Sequence, residues 1–113
     1  LAALSIALAA AIVTGRKRAS QMTCIADGYK HDSPNAGYPE AAMAGALGIE
    51  LGGDAFYAGE LVRHPHLGHS EIPLDLRALR SARIILWIAS GITMALILVL
   101  RVAISDLDGR LRL

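Results

Sequence analysis

The chain has 113 residues, 54% of them hydrophobic but only 4% aromatic, with a formal net charge of +1. An aliphatic excess of this size is foreign to an ordinary soluble domain. The near-neutral balance, with no basic stripe interleaved with aromatics, excludes a nucleic-acid footprint. The single cysteine, Cys24, excludes an internal disulfide and a Cys-rich zinc site.

Residues 1–15, LAALSIALAAAIVTG, carry no charged side chain. They open without a methionine or a basic stretch, which argues against a signal peptide. The flank Arg16-Lys17-Arg18 reads as the basic stop of a membrane helix whose beginning is cut away or lies at the chain start, so a piece of a longer protein is expected. Residues 16–32, RKRASQMTCIADGYKHD, predict a helix continuing from that segment, with Met22, Ile25 and Ala26 on one face and Gly28 allowing it to end.

Next comes SPNAGYP, Ser33 to Pro39, which predicts a compact turn. Pro34 restricts Ser33 to extended geometry, Gly37 is free to adopt positive φ, and Pro39 suits the first position of a helix. PEAAMAGALG is helical in propensity and closes at Gly48. Its small residues Ala41, Gly45 and Gly48 would let another backbone lie close. ELGGDAFYAGE reads as a turn or hairpin-like crossing around Phe56 and Tyr57, and residues 61–75 as an irregular polar connection. Asp75 is positioned to cap a helix starting near Leu76.

The run IILWIASGITMALILVL, residues 84–100, is bounded by Arg83 and Arg101 and is just long enough to cross a hydrocarbon core of about 30 Å. Trp87 suits the interface, and Ser90, Gly91 and Thr93 suit helix contacts. The fold class expected is all-α, part of a polytopic integral membrane protein. Membrane helices over 1–15 and 84–100 flank a loop over 16–83 that carries short helices, and a tail spans 101–113. Arg16, Lys17 and Arg18 at one end of the loop and Arg77, Arg80 and Arg83 at the other place it in the cytoplasm. The surroundings implied are the lipids of the cell (inner) membrane, crossed more than once.

The block Ser33–Gly53, SPNAGYPEAAMAGALGIELGG, resembles the CobD/CbiB family, the adenosylcobinamide-phosphate synthases of cobalamin (vitamin B12) biosynthesis. Members carry a block similar to SPNAG, an aromatic, PEAAMAGALG and a following LGG. It comes after a basic-flanked membrane helix and before a loop leading to a last membrane helix. Tyr38 stands where the family often has tryptophan, and Asp54-Ala55 where it often has Pro-Asn. The resemblance covers about residues 1–100, the C-terminal part of the family pattern, and implies further upstream membrane helices as partners. It also implies a reaction, ATP-dependent amide-bond formation joining aminopropanol or its phosphate to adenosylcobyric acid. ATP and Mg²⁺ would be the cofactors and the corrinoid a substrate.

Such a ligase has to neutralise phosphate charge, hold a metal and set an amine against an activated carboxylate. Glu40, in the first turn after Pro39, is the catalytic or metal-binding candidate, or else a dipole-matched carboxylate. Asn35 is the second catalytic candidate. Ser33, Gly37 and Asn35 in the turn, with Lys30 nearby, offer an anion cradle, although turn formation explains the first three equally well. Tyr38 is a candidate substrate contact or an interface anchor. Asp32 would join Glu40 on the metal, or serve the turn. Phe56 and Tyr57 divide likewise between stacking and anchoring, and His64, His66 and His69 do not match a zinc pattern. The competing readings are a non-catalytic membrane scaffold or sensor, a piece inactive alone, and a transporter half. Neither apolar segment contains the ionisable residue that transport would favour.

Overall fold

The apolar start of the chain forms α1, Ala2–Val13, and stops where Gly15 takes a left-handed φ of +70°. That reversal lets α2, Lys17–Asp27, turn back rather than continue α1 into one long helix as the sequence predicted. A 3₁₀ turn, Gly28–Lys30, follows, then α3, Pro34–Leu47. The chain then makes strands β1 (Glu50–Gly52), β2 (Ala55–Tyr57), β3 (Glu60–Val62) and β4 (His66–Gly68), before α4, Leu76–Leu111. These coordinates are a computed structural model describing residues 1–112, and the last residue of the expected tail, Leu113, lies outside them.

Helix dominates, but the class is not purely α. β1 pairs antiparallel with β4, Leu51 opposite Leu67, and β2 with β3, Phe56 opposite Leu61. Together they make a hairpin of two tiers that absorbs part of the connection expected to be irregular. Its tip, Ala58-Gly59, has φ of 52° and 83°, the pair of positive values that a two-residue hairpin turn demands.

The expected turn over residues 33–39 is instead the opening of α3, which starts five residues before Pro39. Ser33 is the N-cap residue in extended geometry and Pro34 takes the first helical position, where its missing N–H costs nothing. Pro39 sits inside the helix and cannot donate to the Asn35 carbonyl four residues back. Gly37 is needed for closeness, not for positive φ. A Cβ there would land on the Gly28 carbonyl oxygen and 2.6 Å from His31 Cβ. Gly48 does close the helix as expected, left-handed at φ 69°, its N–H donating to the Ala44 carbonyl at 2.9 Å.

The small face of α3 meets α2. Ser20 Oγ donates to the Ala42 carbonyl at 2.8 Å, and a Cβ on Gly45 would strike the Ala19 carbonyl and come within 2.7 Å of Thr23 Oγ1. Gly45→Val is therefore expected to destabilise the chain by about 1–3 kcal/mol, the usual cost of overpacking. Thermal unfolding in detergent would measure it, and an unchanged midpoint would show that α2 and α3 do not hold this spacing in solution.

Helix α1 is 12 residues long, about 18 Å at 1.5 Å per residue, well short of a 30 Å core. Ser5, Ile6, Ala7, Ala9 and Ala10 are buried within the chain, so α1 forms the centre of a bundle with α2, α3 and the first half of α4. α4 has 36 residues and, among the described residues, is the one helix long and apolar enough to cross a membrane. Asp75 caps it as expected, accepting from the N–H groups of Arg77 and Ala78 at 3.0 Å each. The helix also runs through most of the expected tail. Arg110–Asp106 and Arg112–Asp108 pairs at i,i+4 spacing support it there. α1 and α4 run antiparallel. Thr14 at the end of α1 lines a cleft with Ala78 and Ser81, and Thr93 Oγ1 donates to Ser5 Oγ at 2.8 Å further along.

Candidate functional site

The start of α3 folds back to the beginning of α1. Leu1, Ala3, Cys24, Asn35, Tyr38 and Pro39 line an open cleft of about 370 Å³ there. This is the end of α1 opposite Arg16, so the SPNAG segment packs beside the start of α1.

Of the residues expected to act, Asn35 and Tyr38 are brought together on the cleft. The Tyr38 ring lies against Gly28, where an added Cβ would come 2.8 Å from Tyr38 Cε1. The other candidates are placed differently. Ser33 makes no side-chain cap, its N–H donates to His31 Nδ1 at 2.9 Å, and its carbonyl accepts from Ala36 and Gly37 at 3.1 and 2.8 Å. Pro34 has no N–H, so the anion cradle expected at this helix start shrinks to the Asn35 N–H. Lys30 is bound to Asp27 at 2.6 Å instead of reaching toward the helix start.

Glu40 is exposed in the second turn of α3, past the first-turn position expected for it, and makes no hydrogen bond or ion pair among the described residues. The alternative role as a dipole-matched carboxylate loses its basis, because that effect is confined to the first turn. Asp32 is exposed at a bend before the helix, and six residues of rise, about 9 Å, separate Pro34 from Glu40 along α3. Among the described residues no three His, Cys, Asp or Glu side chains converge on one point. The donors described in this chain therefore do not by themselves fit a Mg²⁺ ion.

Sequence reasoning passed over Asp27, which is the best-held carboxylate in the chain. It is buried, accepting from the Gly68 N–H at 2.8 Å with one oxygen and from Lys30 with the other. Burial alone would push its carboxyl up. The hydrogen bonds from Lys30 and Gly68, helped by the charges of Lys30 and His69, outweigh that and hold it below the usual aspartate range. The Lys30 ammonium is raised correspondingly, first by its bond to Asp27. The i,i+3 spacing of Asp27 and Lys30 was a visible signal, but the Gly68 contact spans 41 residues and left none.

Arg16 was likewise read only as a flanking charge. Its Nε donates to the Gly45 carbonyl at 3.1 Å and its guanidinium pairs with Glu71, tying the end of α3 to the segment before α4. Burial raises the Cys24 thiol, consistent with an inert side chain in the cleft wall.

A bundle of short helices rich in small residues, packed on one helix long and apolar enough to cross a membrane, with an amide, a phenol and an unpartnered carboxylate along the start of α3, makes this a mostly helical protein with one candidate membrane span among the described residues. Within that class the chain belongs to the CobD/Cbib family: the family model described as CobD/Cbib protein matches residues 1–86. The match contains the whole SPNAG block and ends early in α4, short of residue 100.

Among curated relatives, the cobalamin biosynthesis protein CobD of Clostridium perfringens is 41% identical over 75 residues, 66% of this chain and 24% of the relative. CobD of Geobacter metallireducens is 44% identical over 80 residues, 71% of this chain and 25% of the relative. The cobalamin biosynthesis protein CbiB of Salmonella choleraesuis is 38% identical over 81 residues, 72% and 25% of the two. The chain thus spans about a quarter of the length of the curated relatives it matches. No solved structure matches it.

Proposed function

We propose that this chain supplies part of the active site of a cobalamin-biosynthesis enzyme that forms an amide bond, using ATP and Mg²⁺, between adenosylcobyric acid and aminopropanol or its phosphate. The observation that carries this reading is family membership over a stretch that includes the entire SPNAG block. The exposed, unpartnered Glu40 and the cleft holding Asn35 and Tyr38 are compatible with it. In this reading Asn35 orients the substrate, Tyr38 forms a cleft wall and Glu40 receives the amine or one metal ligand position. Ser33, Gly37, Lys30 and Asp32 shape the segment around them. The remaining metal and nucleotide contacts come from the rest of the full-length protein.

The enzyme is multi-pass in the cell membrane, with α4 as one crossing. A chain continuing before Leu1 would make α1 a second, antiparallel one, with α2 and α3 held beside it. In this reading the basic residues at the α1–α2 junction and the start of α4 favour residues 16–83, the SPNAG segment included, on the cytoplasmic side.

The test is growth of a strain lacking its own synthase on cobyric acid, under conditions that require a completed cobamide. A full-length protein containing this sequence is expected to restore growth, and residues 1–113 alone are not. Failure of the full-length form would overturn the enzymatic reading. Full rescue by the 113 residues alone would overturn the assignment of the missing contacts to the remainder.

A further inference from the structure

The face of α4 turned away from α1 carries a groove of about 570 Å³ lined by Leu76, Leu79, Arg80, Ala82, Arg83 and Leu86. All of these except Ala82 are exposed, and the buried residues of α4, Ala78, Ile85 and Ala89, point the other way. Arg80 and Arg83 form no ion pair among the described residues. They stand where the uncharged run begins at Ile84, with Trp87 one position beyond Leu86. Charge at the opposite end of the helix is disposed differently. There Arg110 is neutralised by Asp106 at 3.1 Å and Arg112 by Asp108 at 2.9 Å. Arg16 is also consumed, by Glu71 and the Gly45 carbonyl, which leaves Lys17 and Arg18 as the free cations at the α1–α2 junction.

We propose that this groove is a binding site for an anionic glycerophospholipid, its phosphate held by Arg80 and Arg83 and an acyl chain lying along Leu86 toward the apolar run. Two guanidiniums with no internal counter-ion at the edge of an apolar helix are complementary to a headgroup phosphate, which they engage through paired N–H donors. Leu76 and Leu79, exposed on the far side of the arginines, suit the mixed environment of the headgroup layer. The inference rests on α4 being a membrane helix, as in the reading above, but on nothing about catalysis.

The test uses the full chain reconstituted in nanodiscs of phosphatidylcholine doped with phosphatidylglycerol, with bound lipid counted by native mass spectrometry after gentle release. Arg80→Gln/Arg83→Gln is expected to lower the preference for phosphatidylglycerol by about 25-fold, roughly fivefold for each charge removed near an anionic surface. Arg80→Lys/Arg83→Lys should keep most of the preference, and Arg110→Gln/Arg112→Gln all of it. A preference in the Arg80/Arg83 double glutamine variant within about threefold of the parent, against that 25-fold expectation, would overturn the proposal. So would an equal loss in the Arg110/Arg112 variant. Resistance of the parent to carbonate extraction is measured in parallel. Extraction of the parent from the bilayer would sink the membrane reading itself, whereas a stably inserted parent without lipid preference would sink this site alone.

Discussion

Glu40→Gln in the full-length context is expected to slow amide formation by on the order of 10²–10³, the usual loss when a preorganised charge contact at a reacting centre is removed. The side chain is exposed in the second turn of α3 and touches no cation or donor within the described residues, so its charge has no structural work that would explain a large effect. Stability should accordingly stay within about 0.5 kcal/mol of the parent, as for an ordinary surface substitution. Purified variant and parent would be compared for ligation rate, abundance in the membrane and melting midpoint. Tyr38→Trp is the matched control in the same cleft and should be tolerated, because the position opens onto space beside Leu1 and Ala3. A Glu40→Gln rate within about threefold of the parent, far short of the expected electrostatic loss, returns Glu40 to a passive surface position.

The largest stability effect is expected at Asp27. Asp27→Ala removes the acceptor of both the Gly68 N–H and Lys30, leaving a buried donor on β4 unsatisfied. Hydrogen bonds to a charged group are worth about 1.5–3 kcal/mol, and Lys30 itself is exposed and can return to water, so a loss of about 2–3 kcal/mol is expected. On a chain of this size that is a drop of about 10 °C in the melting midpoint. The stabilisation is also pH-dependent. With the folded carboxyl held below its ordinary value, it is fully present above the unfolded pKa near 4 and lost as pH falls through the folded value. Acid titration of parent and Asp27→Asn should therefore diverge at neutral pH and converge at low pH. Parallel curves throughout would show that Asp27 contributes no charge-dependent stability.

Legibility varied with the range over which each feature is determined. Short-range chemistry was readable: Asp75 capping α4, Gly48 ending α3 left-handed, and small residues on α3 permitting close approach all depend on neighbours a few positions away. The start of α3 was misjudged because two prolines, Pro34 and Pro39, each fit a first helical position. Which one opens the helix is decided by the contact of Gly37 with Gly28 and His31, pairs six to nine residues apart that no local preference reports. The hairpin-like crossing expected around Phe56 and Tyr57 is the β2–β3 tier, whereas the β1–β4 tier was missed for a similar reason. Three-residue segments such as Glu50–Gly52 carry too little periodicity to be seen, and they pair only because the chain returns sixteen residues later.

The sequence by itself determined that the chain is mostly helical, that α4 is apolar enough to enter a membrane, and that the SPNAG block marks the family. These follow from composition, hydropathy and a contiguous motif, all of them linear properties. Only the tertiary structure decided that α1 is largely an internal helix, that Lys30 belongs to Asp27 and Arg16 to Glu71, and that Asn35 and Tyr38 face the start of α1 while Glu40 stands without a partner. The physical reason is the turn at Gly15. By sending α2 back along α1, it sets which charges find counter-ions inside the chain and which stay free for a ligand, and pairings across such distances leave no trace in local sequence.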